Sequence, residues 1–232
     1  WWAEIRRTPA KEIALMSEWE SKIERMAETT IHEDVYILAG VPSWTMVLSQ
    51  KILEITGKSN LKEVWPNLEL FMHGGVNFEP YRNQFQQLIP DASMNYVETY
   101  NASEGFFGIQ DQIDSNELLL MLDYGIYYEF IPMPAFNGVD STDVVNINNV
   151  ELGVNYAMVI STNGGLWRYI VGDTIQFTST HPYRFKITGR TKSYINTVGE
   201  ELIVEQAEKA IAVASEQTKA QIREFTACPI PM

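Results

Sequence analysis

A chain of 232 residues with 45% hydrophobic, 12% aromatic and 20% charged residues carries enough apolar material for one large core or two modest ones, which excludes disorder as its main state. Thirty acidic residues against 17 basic leave a net charge of -13, and Arg6-Arg7 is the single adjacent basic pair, so a polyanion meets repulsion and nucleic acid is excluded as the expected partner. No apolar run reaches the roughly 18 to 20 residues of a bilayer span, and one cysteine, Cys228, excludes an internal disulfide framework and suits a reducing, cytoplasmic setting.

Between Trp1 and about Glu28 the apolar positions Ile5, Ile13, Met16, Trp19, Ile23 and Met26 have helical spacing broken near Pro9, which predicts one or two amphipathic helices. Val35 to Ala39 reads as a short buried strand ending at Gly40, and Ser43 to Ile55 as a helix stopped by Gly57. The alternation repeats: strand at Leu68 to Met72, glycines at Gly74-Gly75, helix from Glu79 to Leu88, strand at Met94 to Tyr100. Such a sequence predicts an α/β fold with a helix-covered parallel or mixed sheet.

After Glu104 the texture is mostly β. Strand-like runs occur at Leu118 to Leu122, Gly125 to Ile131, Tyr156 to Ser161, Trp167 to Ile170, Thr174 to Phe177 and Tyr183 to Ile187, with Asn163-Gly164 as a hairpin signal. A helix is expected again from Glu200 to Glu216 and a last strand at Ile222 to Ala227. This gives a β-rich part beginning at about residue 117, and a change of texture near residue 190.

In α/β sheets, ligands meet the loops at the carboxyl ends of strands. Three such places carry useful chemistry. The pair Gly74-Gly75 would let a flat ligand approach the backbone, although a glycine pair there is more commonly a tight turn. The stretch Thr99 to Gly105 gathers an aromatic ring, an amide, a hydroxyl and a carboxylate, which suits a base, a phosphate and Mg²⁺, or else is a polar loop with a buried tyrosine. In Tyr169-Ile170-Val171-Gly172-Asp173, a carboxylate at a strand end could accept both hydroxyls of a ribose, or could simply terminate a hairpin strand. Gly189-Arg190 could be a ligand contact and pivot, or an exposed turn. His32, His73 and His181 have no metal-ligand spacing, and no Gly-x-Ser-x-Gly elbow is present.

Taken together, Gly40-Val41-Pro42-Ser43-Trp44, Gly74-Gly75-Val76, Tyr100-Asn101-Ala102-Ser103-Glu104-Gly105-Phe106, Tyr128-Glu129-Phe130-Ile131-Pro132, Leu166 to Asp173, Gly189-Arg190 and Gly199-Glu200-Glu201 resemble, in order, the adenylate-forming superfamily. More closely, they are similar to the auxin-responsive Gretchen Hagen family of acyl-acid amido synthetases, in a bacterial form. The resemblance extends over about residues 35 to 205. It implies an ATP- and Mg²⁺-dependent ligase that adenylates a carboxylic acid and passes the acyl group to an amine or amino acid.

The resemblance also implies residue roles. Gly74, Gly75, Val76 and Asn77 would border the adenine, and Tyr100, Asn101 and Ala102 would flank the base. Ser103 would contact the α-phosphate and Glu104 would ligate Mg²⁺, which makes these two the expected catalytic residues. Asp173, helped by Arg190, would hold the ribose. Val41, Ser43, Trp44 and Phe130 would line the acyl pocket. Lys192 would be the hinge between a large adenylating domain, residues 1–190, and the start of a small domain, residues 191–232. The Ser/Thr/Gly-rich phosphate loop of the superfamily is not found, and Ser161 to Gly165 is a poor substitute because it falls in an expected hairpin. The chain therefore reads as the middle of a longer enzyme that would adenylate little by itself. Alternatives are an acyl- or aryl-CoA ligase and a non-catalytic nucleotide-binding module.

Overall fold

The computed structural model describes residues 6–113, 115–136, 143–191, 194–197, 200–220 and 222. Two compact units meet at Val97 and Glu98 in the sequence. Among the described residues, no helix is long and apolar enough to cross a membrane.

The first unit opens with a short helix α1 (Lys11–Ala14) and the amphipathic α2 (Trp19–Thr30), which buries Ile23, Ala27 and Thr30. Helix α2 begins where the Glu18 carboxylate accepts from the backbone N–H groups of Glu20 and Ser21, satisfying two otherwise orphaned donors. Strand β1 (Ile37–Gly40) pairs in parallel with β2 (Leu70–His73), and α3 (Pro42–Thr56) forms part of the connection. Proline at the start of α3 costs no hydrogen bond, and Gly57 closes the helix with φ 65° and an N–H bond to Leu53 O at 2.9 Å. A 3₁₀ turn at Glu79–Tyr81 leads into α4 (Arg82–Leu88).

Ala27, Met46, Ile52, Trp65, Leu68, Phe71, Phe78 and Phe85 form the core of this unit. Burying each of its larger side chains contributes about 2–3 kcal/mol. The Trp65 indole is 1% exposed and places its polar end on Thr30 O at 2.9 Å, so the ring is buried without an orphaned donor. One expectation fails here. The run Val35 to Ala39 is not a buried strand: Val35 is buried, but Tyr36 is 48% and Ile37 52% exposed. Among the described residues β1 pairs with β2 alone, and its apolar residues divide between core and surface instead of lying between two covered faces.

Strand β3 (Asn95–Ala102) ends in the second unit, where Thr99 to Ala102 pair with β4 (Gly105–Ile109). The other strands of that sheet are β5 (Leu118–Leu120), β6 (Ile126–Pro132), β7 (Val145–Asn146), β8 (Asn155–Thr162), β9 (Tyr169–Thr180) and β10 (Tyr183–Arg190). Their order is β3-β4-β5-β10-β9-β8-β6-β7, with antiparallel pairing throughout. Alternate residues point to opposite faces: Tyr128, Phe130, Met158 and Ile160 enter the main core with Phe107, Phe177 and Phe185, while Ile131, Ala157 and Val159 form a smaller cluster. A two-stranded sheet, β11 (Tyr194–Thr197) with β12 (Glu200–Ile203), and helix α5 (Val204–Thr218) follow.

Three details of this half differ from the expected pattern. Residues 99–105 are the tip of a β-hairpin, mostly strand instead of a polar loop, since Ala102 pairs with Gly105 and Ser103-Glu104 form the turn. Tyr169-Ile170 and the run Thr174 to Phe177 belong to one strand, β9, which continues through Gly172 because that glycine adopts φ 93° inside a bulge, while Trp167 and Arg168 precede the strand. The β8–β9 hairpin exists, but its connection spans residues 163–168 instead of a two-residue Asn-Gly turn. The strand expected at Ile222 to Ala227 lies almost wholly outside the described residues.

Candidate functional site

In the second unit, chain-distant side chains converge on Asp173. The Tyr100 hydroxyl on β3 donates to Asp173 Oδ2 at 2.5 Å, and Arg190 Nε on β10 donates to Asp173 Oδ1 at 2.8 Å. Backbone register produces this convergence. Arg190 is the direct cross-strand partner of Asp173, and the bulge at Gly172 interrupts the alternation of β9 just before it. Thr191 completes the arrangement: its N–H donates to Gly172 O at 2.9 Å and its hydroxyl lies 3.3 Å from the same oxygen.

The electrostatics are unequal along this chain of groups. Burial, followed by the nearby Asp173 charge and the hydrogen bond to it, pushes the Tyr100 phenol far above the ordinary tyrosine range, so it stays a donor. The hydrogen bond to Asp173 also raises Arg190, and two-thirds of its side chain is exposed to water, so it keeps its charge. Asp173 itself is 13% exposed. An ionised carboxylate has about four acceptor positions. Tyr100 and Arg190 occupy one on each oxygen, which leaves acceptor positions over.

Beside this cluster, Glu104 stands at the hairpin tip, preceded in the chain by the exposed Ser103. Glu104 Oε1 accepts from the Tyr169 hydroxyl at 3.0 Å, and this bond raises the Tyr169 phenol from its usual value. One carboxylate held by a hydrogen bond is compatible with Mg²⁺, which is commonly held by one or two protein carboxylates, phosphate oxygens and water. Arg168 precedes Tyr169 with φ 46° and pairs with Glu129 on β6 at 3.1 Å.

Other expected site residues have different surroundings. The Tyr100 ring is 6% exposed and packs edge-on to Phe107 at 5.1 Å and Phe185 at 6.1 Å, so most of it belongs to the core and its hydroxyl is what reaches the polar cluster. Phe130 is fully buried against Phe177 at 5.0 Å and is a core residue in this structure. Asn101 is exposed and Ala102 half-buried in the last pairs of β3.

In the first unit, Gly75 has φ 83° and a Cβ there would lie 3.4 Å from the Val41 side chain, so the glycine turn packs on the loop that starts α3. Asn77 Oδ1 accepts from Glu79 N at 3.0 Å, Val76 is 39% exposed, and Trp44 is 59% exposed and edge-on to Trp19 at 5.7 Å. Gly74 follows β2 directly, and Ser43 lies in the first turn of α3. Lys192 lies outside the described residues.

Tyr169, Thr191, Thr188 and Asn155 are site neighbours that sequence reasoning did not select. Tyr169 had a visible signal, because it opens the same five-residue segment that ends in Asp173.

Comparison with known proteins gives this geometry a family. Residues 1–94 match the GH3 family N-terminal domain and residues 119–190 match the GH3 family central domain. The chain belongs to the GH3 family. A GH3 relative from Arabidopsis thaliana, indole-3-acetic acid-amido synthetase GH3.4, is 29% identical over 166 residues, covering 67% of this chain and 27% of that protein. The 4-substituted benzoates-glutamate ligase GH3.12 of the same plant is 29% identical over 181 residues, 73% of this chain and 30% of that protein. The match thus takes up less than a third of the length of these relatives.

Among solved structures, the GH3.15 acyl acid amido synthetase superposes with TM-score 0.70 at 16% identity, covering 92% of this chain and 48% of that one. A 2-hydroxyisobutyryl-CoA ligase in the postadenylation state gives 0.64 at 14% identity over 85% of this chain and 41% of its own. These likenesses place the GH3 chain in the fold of adenylate-forming enzymes.

Proposed function

We propose that this GH3 chain carries the nucleotide-handling part of an adenylating amide ligase. The observation that supports this best is the Asp173 carboxylate, fixed between Tyr100 and Arg190 with acceptor positions left over. In the first step a carboxylic acid oxygen bonds to the α-phosphorus of ATP and pyrophosphate leaves. In the second, an amine or amino-acid nitrogen bonds to the acyl carbon, AMP leaves, and the amine loses a proton. Activation is needed because a carboxylate offers no leaving group better than oxide, whereas AMP departs as a stable phosphate.

In this reading Asp173 accepts hydrogen bonds from the ribose hydroxyls, and Arg190 orients its carboxylate. Tyr100 holds the other oxygen from the core side. Ser103 donates to an α-phosphate oxygen, where charge builds as the new bond forms. Mg²⁺, when bound, supplies charge neutralisation at the phosphates, and Glu104 with Tyr169 behind it would hold it. Within the second unit Asn101 and Ala102 are read as base contacts; within the first, Gly74 to Asn77 are read as nucleotide contacts and Val41, Ser43 and Trp44 as acyl contacts. A division near residue 190, with a pivot at Lys192, belongs to the same reading. A single cysteine suits the cytoplasm, where ATP is abundant.

The test is ATP–pyrophosphate exchange by the full-length protein with a panel of carboxylic acids, followed by AMP release on adding amino acids or CoA. Exchange that depends on the acid, with release driven by amino acids, is expected. Release driven by CoA alone would make the protein an acyl-CoA ligase, and no exchange with any acid would leave only a nucleotide-binding module.

A further inference from the structure

Beneath Asp173 lies a buried polar cluster that the proposed reaction does not use. Strand β10 slips against β9 here: Ile187 pairs with Ile175 and Gly189 with Thr174, so Thr188 is the extra residue of a bulge. On its other side β9 is out of step with β8, because Ala157 faces Thr174 while Val159 faces Ile170, leaving Val171, Gly172 and Asp173 opposite Met158 alone. Thr174 sits between the two irregularities, directly after Asp173.

Thr188 and Thr174 are each 3% exposed. Thr188 Oγ1 lies 2.6 Å from Asn155 Oδ1 on β8 and 2.9 Å from Thr174 Oγ1 on β9. One hydroxyl carries one proton, so Thr188 donates to the Asn155 carbonyl and accepts from Thr174. Three adjacent strands are thereby joined through side chains at the place where their backbone ladders are irregular. An unpaired polar group is costly where it is buried, as at Thr188 and Thr174, so these two hydroxyls and the half-buried Asn155 restrain one another.

We propose that Thr188 is a positioning residue for nucleotide binding: through Asn155 and Thr174 it fixes the paired bulges that set Asp173 opposite Arg190. The proposal rests on the reading of Asp173 as the ribose ligand. Valine at position 188 would keep the shape of threonine but leave Asn155 Oδ1 without its donor and Thr174 without its acceptor. The bulges could then relax towards regular pairing, which turns the Asp173 side chain.

The test uses the full-length protein and compares Thr188→Val, Thr188→Ser, Asp173→Asn and the double variant Thr188→Val with Asp173→Asn. AMP affinity is read by titration calorimetry, and the KM values for ATP and the carboxylic acid by pyrophosphate exchange. Thr188→Val should weaken AMP binding about five- to tenfold, as expected for one broken buried hydrogen-bond pair, with a parallel rise in the KM for ATP and none in that for the acid. Thr188→Ser should stay within about twofold of wild type, and in the Asp173→Asn background Thr188→Val should add less than about twofold.

Unchanged AMP affinity in Thr188→Val, or equal losses with and without the Asp173 charge, would overturn the positioning role. If Asp173→Asn alone leaves AMP affinity intact, the ribose assignment fails and the positioning role falls with it. Should Thr188→Val not fold, Asn155→Ala opens the same cluster from β8, and it must reproduce the loss of AMP affinity for the proposal to stand.

Discussion

Tyr100 and Asp173 stand 73 positions apart in sequence, yet the phenol hydroxyl of one is 2.5 Å from a carboxylate oxygen of the other. The ring is held by Phe107 and Phe185, so the core itself aims the hydroxyl. Tyr100→Phe keeps the ring and removes the donor. It should destabilise the protein by about 1–2 kcal/mol and weaken AMP binding severalfold. Denaturant unfolding and calorimetry on the same sample measure both, and an unchanged AMP affinity would confine Tyr100 to the core. Because Tyr100 titrates far above its unfolded value, its contribution is complete below the ordinary tyrosine pKa of about 10 and declines as pH rises past it, where only the unfolded chain ionises.

Glu104 and Tyr169 should behave as a coupled pair. Glu104→Gln retains a hydrogen-bond acceptor for the phenol but removes the anionic oxygen, so the adenylation half-reaction should need at least about tenfold more Mg²⁺ while AMP binding changes little. Tyr169→Phe should raise the Mg²⁺ requirement by a smaller factor, about two- to fivefold, and add nothing in the Glu104→Gln background. Full additivity of the two substitutions would mean that the bond between them does not orient the metal ligand.

His73 gives the first unit an acid-sensitive element. It is 3% exposed, stacked on Phe78 at 4.1 Å, and burial, reinforced by the Arg82 charge, lowers its pKa to about 4. The folded state therefore holds the neutral ring. Its contribution to stability is complete above the unfolded histidine pKa near 6.5 and is lost as pH falls from there towards 4, to a total of about 3 kcal/mol. Unfolding curves between pH 7 and pH 4 should show this slope, and His73→Phe should flatten it. A His73→Phe protein with the wild-type slope would assign the effect to other groups.

Gly108 should not tolerate a side chain. A Cβ there would be 2.9 Å from Phe185 Cζ and 3.1 Å from Leu118 Cβ, and both neighbours lie in the main core of the second unit. Gly108→Ala should cost about 1–3 kcal/mol by overpacking. Gly164→Ala, where the nearest atom would be 3.5 Å away and φ is not positive, should change stability by no more than about 0.5 kcal/mol. Thermal unfolding of the two variants side by side decides, and similar midpoints would show that Phe185 can yield.

The sequence by itself determined the local elements and the chemistry available. Helical periodicity with Gly57 at its end predicted α3 and the strand–glycine–helix order predicted β2 and α4, because spacing and capping are properties of neighbouring residues, whereas Ser103, Glu104, Asp173 and Arg190 were singled out by the family resemblance and not by spacing. The GH3 family was legible too, since motif order survives where overall identity is low. Only the tertiary structure decided which face each element shows and which motifs touch. The run at β1 proved half exposed because Tyr36 and Ile37 are not covered among the described residues, and β9 runs through Gly172 because a bulge accommodates what reads as a turn. The bonds from Tyr100 to Asp173 and from Tyr169 to Glu104, and the Thr188 cluster, depend on cross-strand register between segments far apart in the chain. Register is fixed by the packing of whole strands against a common core, so no single segment encodes it.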